Sequence, residues 1–428
     1  TQLRAEFVFK LTSISSLGQA IGQTELVEGD HRRFLEAGRA YQRVTAGDVR
    51  RVVTTYLDRT RLSLALLLPA GPDDRMEHQA GRDQGGGAGE LEGWETAGRF
   101  TNLPQAASRP IELPPIATRT LANGLKVLVV QMHDQPVVYF DLMVPGGSLT
   151  DPGGKAGLAD VMGTMLTYGT ENRTAEEISL EVERLGGGLA GSTSTEYFSV
   201  DARFLAADFD RGIELFADAV TGATFPGDEF AKVMPQFEGR VRMVRDQPPM
   251  LAFETLSYMV YGYAHPRGRP VSAATLRAIA PGDLRDTYAR IFVPRGSILT
   301  VVGDVRPEEA FRRIEAALGG WKGGGDRPIG VPPDPPPLAG RSLRLVDKSD
   351  LSQATIALGH LGIARQDPDY FELLLGNYVL GGGMASRLFR KVRAQAGKTY
   401  TVGSWFFPGR TRGPFGAYTH TRNAECAG

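Results

Sequence analysis

Arg393 and Tyr400 stand seven residues apart, with Gly397 between them. The arginine falls in the last turn of a helical segment, SRLFRKVRAQAG, and the tyrosine begins the strand-like KTYTVGSWFF. A glycine stop followed by a strand folds the chain back past the helix end, so a guanidinium and a phenol reach one rim. Two such donors can hold a peptide carbonyl or stabilise an oxyanion; the alternative is a solvated arginine and a packed tyrosine. Other reactive groups are sparse. His31, His78, His133, His265, His360 and His420 include no pair at i, i+3 or i+4, which excludes a helical two-histidine zinc site. His133, after a strand, and His265, before Pro266, read as surface or loop side chains. No nucleophile elbow, phosphate-loop lysine or dinucleotide glycine fingerprint occurs. Cys426, the sole cysteine, reads as inert and excludes an intrachain disulfide. One polar face is unusual. In GLADVMGTMLTYGT (157–170), Leu158, Val161, Met162, Met165 and Leu166 make an amphipathic helix stripe, while Asp160, Gly163 and Thr164 share another face. A glycine inside a helix costs about 1 kcal/mol relative to alanine, so its place there asks for a reason.

The elements that must carry these residues follow from composition and pattern. The 428 residues suffice for two to four domains at ~100–200 residues each. Forty-eight Lys and Arg against 49 Asp and Glu give a net charge of −1, which favours neither nucleic acid nor an anionic membrane. No apolar run approaches the ~20 residues of a membrane span. Residues 1–70 read as helices, one capped by Thr45, and then a buried strand, RLSLALLLPA. Residues 71–117 are polar, glycine-rich and proline-punctuated, the composition of a linker. TRTLANGLKVLVVQ is a hairpin turned at Asn123-Gly124. Thr174 and Glu177 form a capping box before a helix that a glycine ends. GSTSTEYFSVDARFL (191–205) alternates as a strand, and two helices follow over 208–246. The segment 46–68 echoes 281–303 as capped helix, break and strand, which suggests an internal duplication. Residues 326–344 form a stiffer, proline-rich linker, and strand, helix, helix and strand come after it. The predicted class is α+β, with mainly antiparallel sheet packed against helices.

These segments together resemble the M16 family of metallopeptidases, which includes pitrilysin, insulysin and mitochondrial processing peptidase. LANGLKVLV, VPGGSLTDPGGKAGLADVMGTMLTYGT, LGGGLAGSTSTEYFSV, VRMVRDQPPMLAFETL, YAHPRGRP, IAPGDLRDTYARIFVPRGSILTVVGDV and LGGGMASRLFRKVRAQAGKTYTV run in the family's order. The resemblance implies LuxS/MPP-like domains: 1–70 as the C-terminal part of a preceding domain, 118–325 as a complete one, and 345–428 as the first half of a following one. That is a stretch of a fused four-domain chain.

Active members read G-L-A-H-x-x-E-H-M-L-x-x-G-T where this chain has 157–170, and a further glutamate ligand lies about where Arg240 stands. The resemblance therefore makes Asp160, Gly163, Thr164 and Arg240 degenerate zinc-site positions. It makes Arg393 and Tyr400 the pair that contacts substrate near the scissile bond of a facing half. It implies no cofactor in this chain, zinc in a partner half on the same polypeptide or a separate subunit, and a peptide substrate. The expected role is the non-catalytic half of a zinc metalloendopeptidase, inactive alone; the alternative is a purely structural subunit of this fold. STSTEYFSV is expected to line the chamber wall. The expected location is the bacterial periplasm or cell envelope, with the cytoplasm as alternative.

Overall fold

A computed structural model describes residues 8–9, 12–28, 30, 32–33, 43–48, 50–51, 114–323, 334–335, 340–348 and 351–426. Two compact units are present, Thr1–Phe34 with Pro115–Gly428, and Leu35–Pro114. In the second, the Thr45 hydroxyl accepts the Asp48 N–H at 3.2 Å, the cap predicted at Thr45, and the Asp48 carboxylate accepts the Thr45 N–H at 3.0 Å in return. The strand at 61–70, most of both predicted linkers and the first copy of the echo lie outside the described residues.

The first unit begins with helix α1 (Ile14–Glu28) and then builds a six-stranded sheet. Its strands are β1 (Ile116–Thr120), β2 (Lys126–Gln131), β3 (Val137–Pro145), β4 (Gly188–Thr193), β5 (Tyr197–Leu205) and β6 (Ile298–Gly303). Their spatial order is β1-β2-β6-β3-β5-β4. Only the β2–β6 pairing is parallel; the other four are antiparallel. The β1–β2 turn forms because Gly124 takes φ +93°, and the Asn123 carboxamide accepts the Leu125 N–H at 3.1 Å. The same side chain donates to the Leu318 carbonyl at 2.7 Å, fastening the hairpin to the end of a distant helix.

Alternation along β3 turns Val138, Phe140, Leu142 and Val144 into the core. Helices α2 (Leu158–Met165), α4 (Phe209–Thr221), α8 (Pro281–Ile291) and α9 (Pro307–Leu318) contribute to that core, with α3 (Ala175–Leu185) beside them. Phe140 meets Phe209 at 5.1 Å and Phe216 at 5.5 Å between ring centroids. The capping box of Thr174 and Glu177 opens α3 as its sequence predicts. Arg173, just before that cap, binds Asp218, Glu181 and Glu214 and so ties α3 to α4.

The long helix α5 (Gly227–Asp246) is followed by α6 (Pro248–Tyr261), and the short α7 (Ala273–Arg277) leads into α8. A second, three-stranded sheet holds β7 (Gln353–Leu361), β8 (Thr399–Phe406) and β9 (Pro414–Arg422) in the order β7-β9-β8. It rests on α6: Leu256, Val260 and Tyr261 are buried with Ala357, Leu361 and Trp405 packed on them. Helix α10 (Tyr370–Gly381) and a π-helical turn (Phe389–Gln395) join β7 to β8.

Three readings need correction. The stretch 191–205 is not one strand but the β4–β5 hairpin, because Ser194, Thr195 and Glu196 turn the chain. The α2 helix stops at Met165, short of the predicted stretch. Strand β9 was unpredicted, and it is the middle strand of its sheet. Its sequence, PFGAYTHTR, mixes glycine and proline into the alternation and blurs a period-two signal.

Candidate functional site

The stripe of α2 is fully used by packing: Leu158 is 1 % exposed, and Val161, Met162, Met165 and Leu166 are 0 % exposed. The helix start is fixed by Asp151, whose carboxylate accepts the N–H groups of Gly157 at 2.7 Å and Ala159 at 2.8 Å. Burial pushes the Asp151 carboxyl up to about 7 in spite of those two bonds.

The other face explains its glycine. A Cβ at Gly163 would lie 2.0 Å from the Thr193 hydroxyl oxygen and 3.0 Å from the Ser192 carbonyl carbon of β4. The approach is mutual, since a Cβ at Gly191 would lie 2.3 Å from the Gly163 carbonyl oxygen. The Thr193 hydroxyl donates to the Ala159 carbonyl at 2.8 Å and clips strand to helix. With Thr193 bonded to Ala159, a methyl group at 163 would collide with the Thr193 hydroxyl and crowd the Ser192 carbonyl. Asp160, one turn earlier, is half-buried, and burial raises its pKa while the facing Arg240 opposes the rise. Arg240 also stacks on Phe237, 4.7 Å from the ring centroid.

Asp160, Thr164 and Arg240 do not fit a zinc ion. The set offers one carboxylate, one hydroxyl and a guanidinium where zinc takes imidazole, thiolate or carboxylate. Among the described residues no group of three His, Cys, Asp or Glu side chains could hold a metal.

Arg393 and Tyr400 do come together. The Arg393 guanidinium lies over the Tyr400 ring, 4.2 Å from its centroid, and 4.7 Å from that of Phe389. The β8–β9 register slips between Thr399 and Thr401, so Tyr400 is bulged out of the ladder. The Thr399 hydroxyl donates to the Thr401 carbonyl at 2.9 Å and holds the bulge. Tyr400 is left 80 % exposed. No hydrogen bond or ion pair to a described residue engages either polar group. Of the two histidines read as surface or loop, His133 is exposed beside Asp304 at 2.5 Å. His265 is on a loop but buried: its ring stacks on Tyr261 and its Nδ1 accepts the Arg267 N–H at 3.1 Å.

Sequence reasoning missed a network that joins the two sheets. Glu196, in the β4–β5 turn, accepts from Arg267 Nη2 at 2.6 Å and from the Arg410 N–H at 2.8 Å. Thr411 adds its hydroxyl to both Arg267 and Glu196. These partners are 71 and more residues apart, and no local pattern announces them. Beside the network lies a cavity of about 240 Å³, whose wall includes Asp151, Asp160, Thr195, Tyr261, Arg267 and Arg269.

Comparison with known proteins places this arrangement. Residues 126–272 match the family model for Insulinase (Peptidase family M16), and residues 278–427 match the one for the Peptidase M16 inactive domain. An uncharacterized zinc protease of Streptomyces coelicolor is 26 % identical over 313 residues, 72 % of this chain and 68 % of that protein. One from Bacillus subtilis is 26 % identical over 288 residues, 67 % of this chain and 69 % of that protein. The crystal structure of a peptidase M16 inactive domain from Pseudomonas fluorescens superposes with a TM-score of 0.64 at 28 % identity, covering 72 % of this chain and 74 % of that one. A protease from Helicobacter pylori, at 23 % identity and TM-score 0.66, shares the fold over 73 % of this chain and 76 % of its own.

Proposed function

The chain belongs to the M16 peptidase family, and from that membership we propose that it works as the non-catalytic half of a zinc peptidase. In this reading it closes a substrate chamber against a zinc-bearing half, on the same polypeptide or a separate subunit. Arg393 and Tyr400 then donate to the carbonyl oxygen of the bound peptide and favour the charge that develops there. The observation that carries the reading is the bulge that leaves the Tyr400 phenol exposed beneath a cation. The mismatch of Asp160, Gly163, Thr164 and Arg240 with zinc supports the division of labour. In this reading the chain and its chamber lie in a bacterial periplasm or cell envelope, with the cytoplasm as the alternative.

The test is peptide hydrolysis by this chain alone, by a candidate zinc half alone, and by the two mixed. Activity should appear only on mixing. Arg393→Ala should then lower kcat/KM about 100-fold and Tyr400→Phe at least about tenfold, each in proportion in kcat. Hydrolysis by this chain alone that survives a chelator would end the reading. Assembly with full activity in both variants would leave the structural-subunit role in its place.

A further inference from the structure

Arg393 is partly buried, and among the described residues its guanidinium makes no hydrogen bond or ion pair. Two rings fix its charged end: Phe389 at 4.7 Å and Tyr400 at 4.2 Å from the guanidinium carbon to the centroids. We propose that Phe389 is the positioning residue of the Arg393 and Tyr400 pair, holding the guanidinium over the phenol so that both donors address one carbonyl. The inference rests on the role proposed for that pair.

The first argument is what one ring can do. An exposed cation–π contact is worth about a two- to fivefold preference, while an arginine side chain has several torsions to order. Tyr400 alone would leave the guanidinium spread over many orientations, and a second ring narrows them. Stacking occupies the flat face of the guanidinium. Its N–H donors lie in the plane of the group and are left for a peptide carbonyl.

The second argument is that Phe389 is itself anchored. Ser386 is 5 % exposed, and its hydroxyl accepts the Phe389 N–H at 3.4 Å. The Ser386 carbonyl accepts the Arg390 N–H at 3.0 Å. From Phe389 to Gln395 the chain winds as a π-helical turn, and the Ala396 N–H donates to the Lys391 carbonyl, five residues back. Such turns are rare and occur frequently at functional sites. Gly397, at φ +61°, ends the turn and donates its N–H to the Arg393 carbonyl at 3.2 Å. Tyr400 is anchored separately, by the Thr399 hydroxyl that holds its bulge. The guanidinium is thus the one mobile group against two rings of fixed origin.

The third argument is that the ring has no aromatic partner. Phe389 is only partly buried and stacks on no other ring among the described residues. Its contact with the Arg393 guanidinium gives a part-exposed phenylalanine a use that core packing does not.

The test has one arm on the chain alone and one with a zinc-bearing half. In the chain alone, ring currents should hold the Arg393 side-chain NMR signals, identified by their loss in Arg393→Lys, upfield of an unstructured arginine. Phe389→Leu should move them toward the unstructured value, and Phe389→Tyr, which keeps the ring, should not. Phe389→Met carries the expectations of Phe389→Leu should the latter fail to fold. With the zinc half, Phe389→Leu should lower kcat about two- to fivefold with KM unchanged, and Phe389→Tyr should stay within about twofold of the wild type. In an Arg393→Ala background Phe389→Leu should cause no further loss. Arg393 signals unmoved in Phe389→Leu, or moved as far in Phe389→Tyr, would overturn the proposal whatever the zinc half does. A loss in kcat that persists in the Arg393→Ala background would overturn it too. The expected NMR shifts without hydrolysis on mixing would sink the role of the pair and uphold the hold of Phe389 on Arg393.

Discussion

Asp151 shows how one buried side chain links a helix start to solution conditions. It is 8 % exposed, and its carboxyl is raised from 3.8 to about 7. The folded chain therefore holds a proton there between those values that the unfolded chain has released. Stability from this group is present at low pH and is lost as pH rises through about 7. The slope is at most about 1.4 kcal/mol per pH unit. Asp151→Asn should flatten the pH dependence of the urea midpoint between pH 5 and 7; an unchanged slope would place the linked proton elsewhere. Tyr400 makes the opposite point. Its function in our reading depends on a one-residue slip in β8 and not on burial, so Tyr400→Phe should change catalysis with the partner while leaving stability alone.

At the scale of elements, α2 and β4 approach each other through glycines. Gly163 and Gly191 each admit the other element's backbone, and Thr193 bonds across the gap. Alanine at 163 is favoured by helix propensity by about 1 kcal/mol, yet its Cβ would collide with the Thr193 hydroxyl oxygen. Gly163→Ala should therefore destabilise by about 1–3 kcal/mol. Thr193→Ala should cost about 1 kcal/mol for its hydrogen bond. The double variant should recover on the order of 1 kcal/mol against the sum, as chemical denaturation of the four chains would show. Strict additivity would mean that β4 yields to the methyl group.

Across the whole molecule, the three-stranded sheet is joined to the six-stranded one by α6 and by Glu196. Glu196 and Arg267 are 15 % and 13 % exposed as side chains, so removing one strands the other. Glu196→Ala should cost about 3 kcal/mol, the usual loss when one member of a buried pair is deleted. The loss should be local. Amide exchange should quicken at 409–414 and along β9, while β3 and β5 keep their protection. Uniform quickening in both sheets would show instead that they unfold as one.

The expectation that positions 160, 163, 164 and 240 do not hold zinc rests on residue type, because a carboxylate, a glycine, a hydroxyl and a guanidinium have their properties wherever the fold puts them. Sequence also determined the Asn123-Gly124 turn, the Thr174 capping box and the α2 stripe, since each rests on interactions a few residues apart. The tertiary structure alone decided why 163 is a glycine, how β4 and β5 fold apart at Glu196, that Tyr400 bulges outward, and that Arg267 lines a cavity. Those features come from pairings across tens to hundreds of residues. Such contacts are set by strand order and packing, which leave no periodic trace in the chain itself.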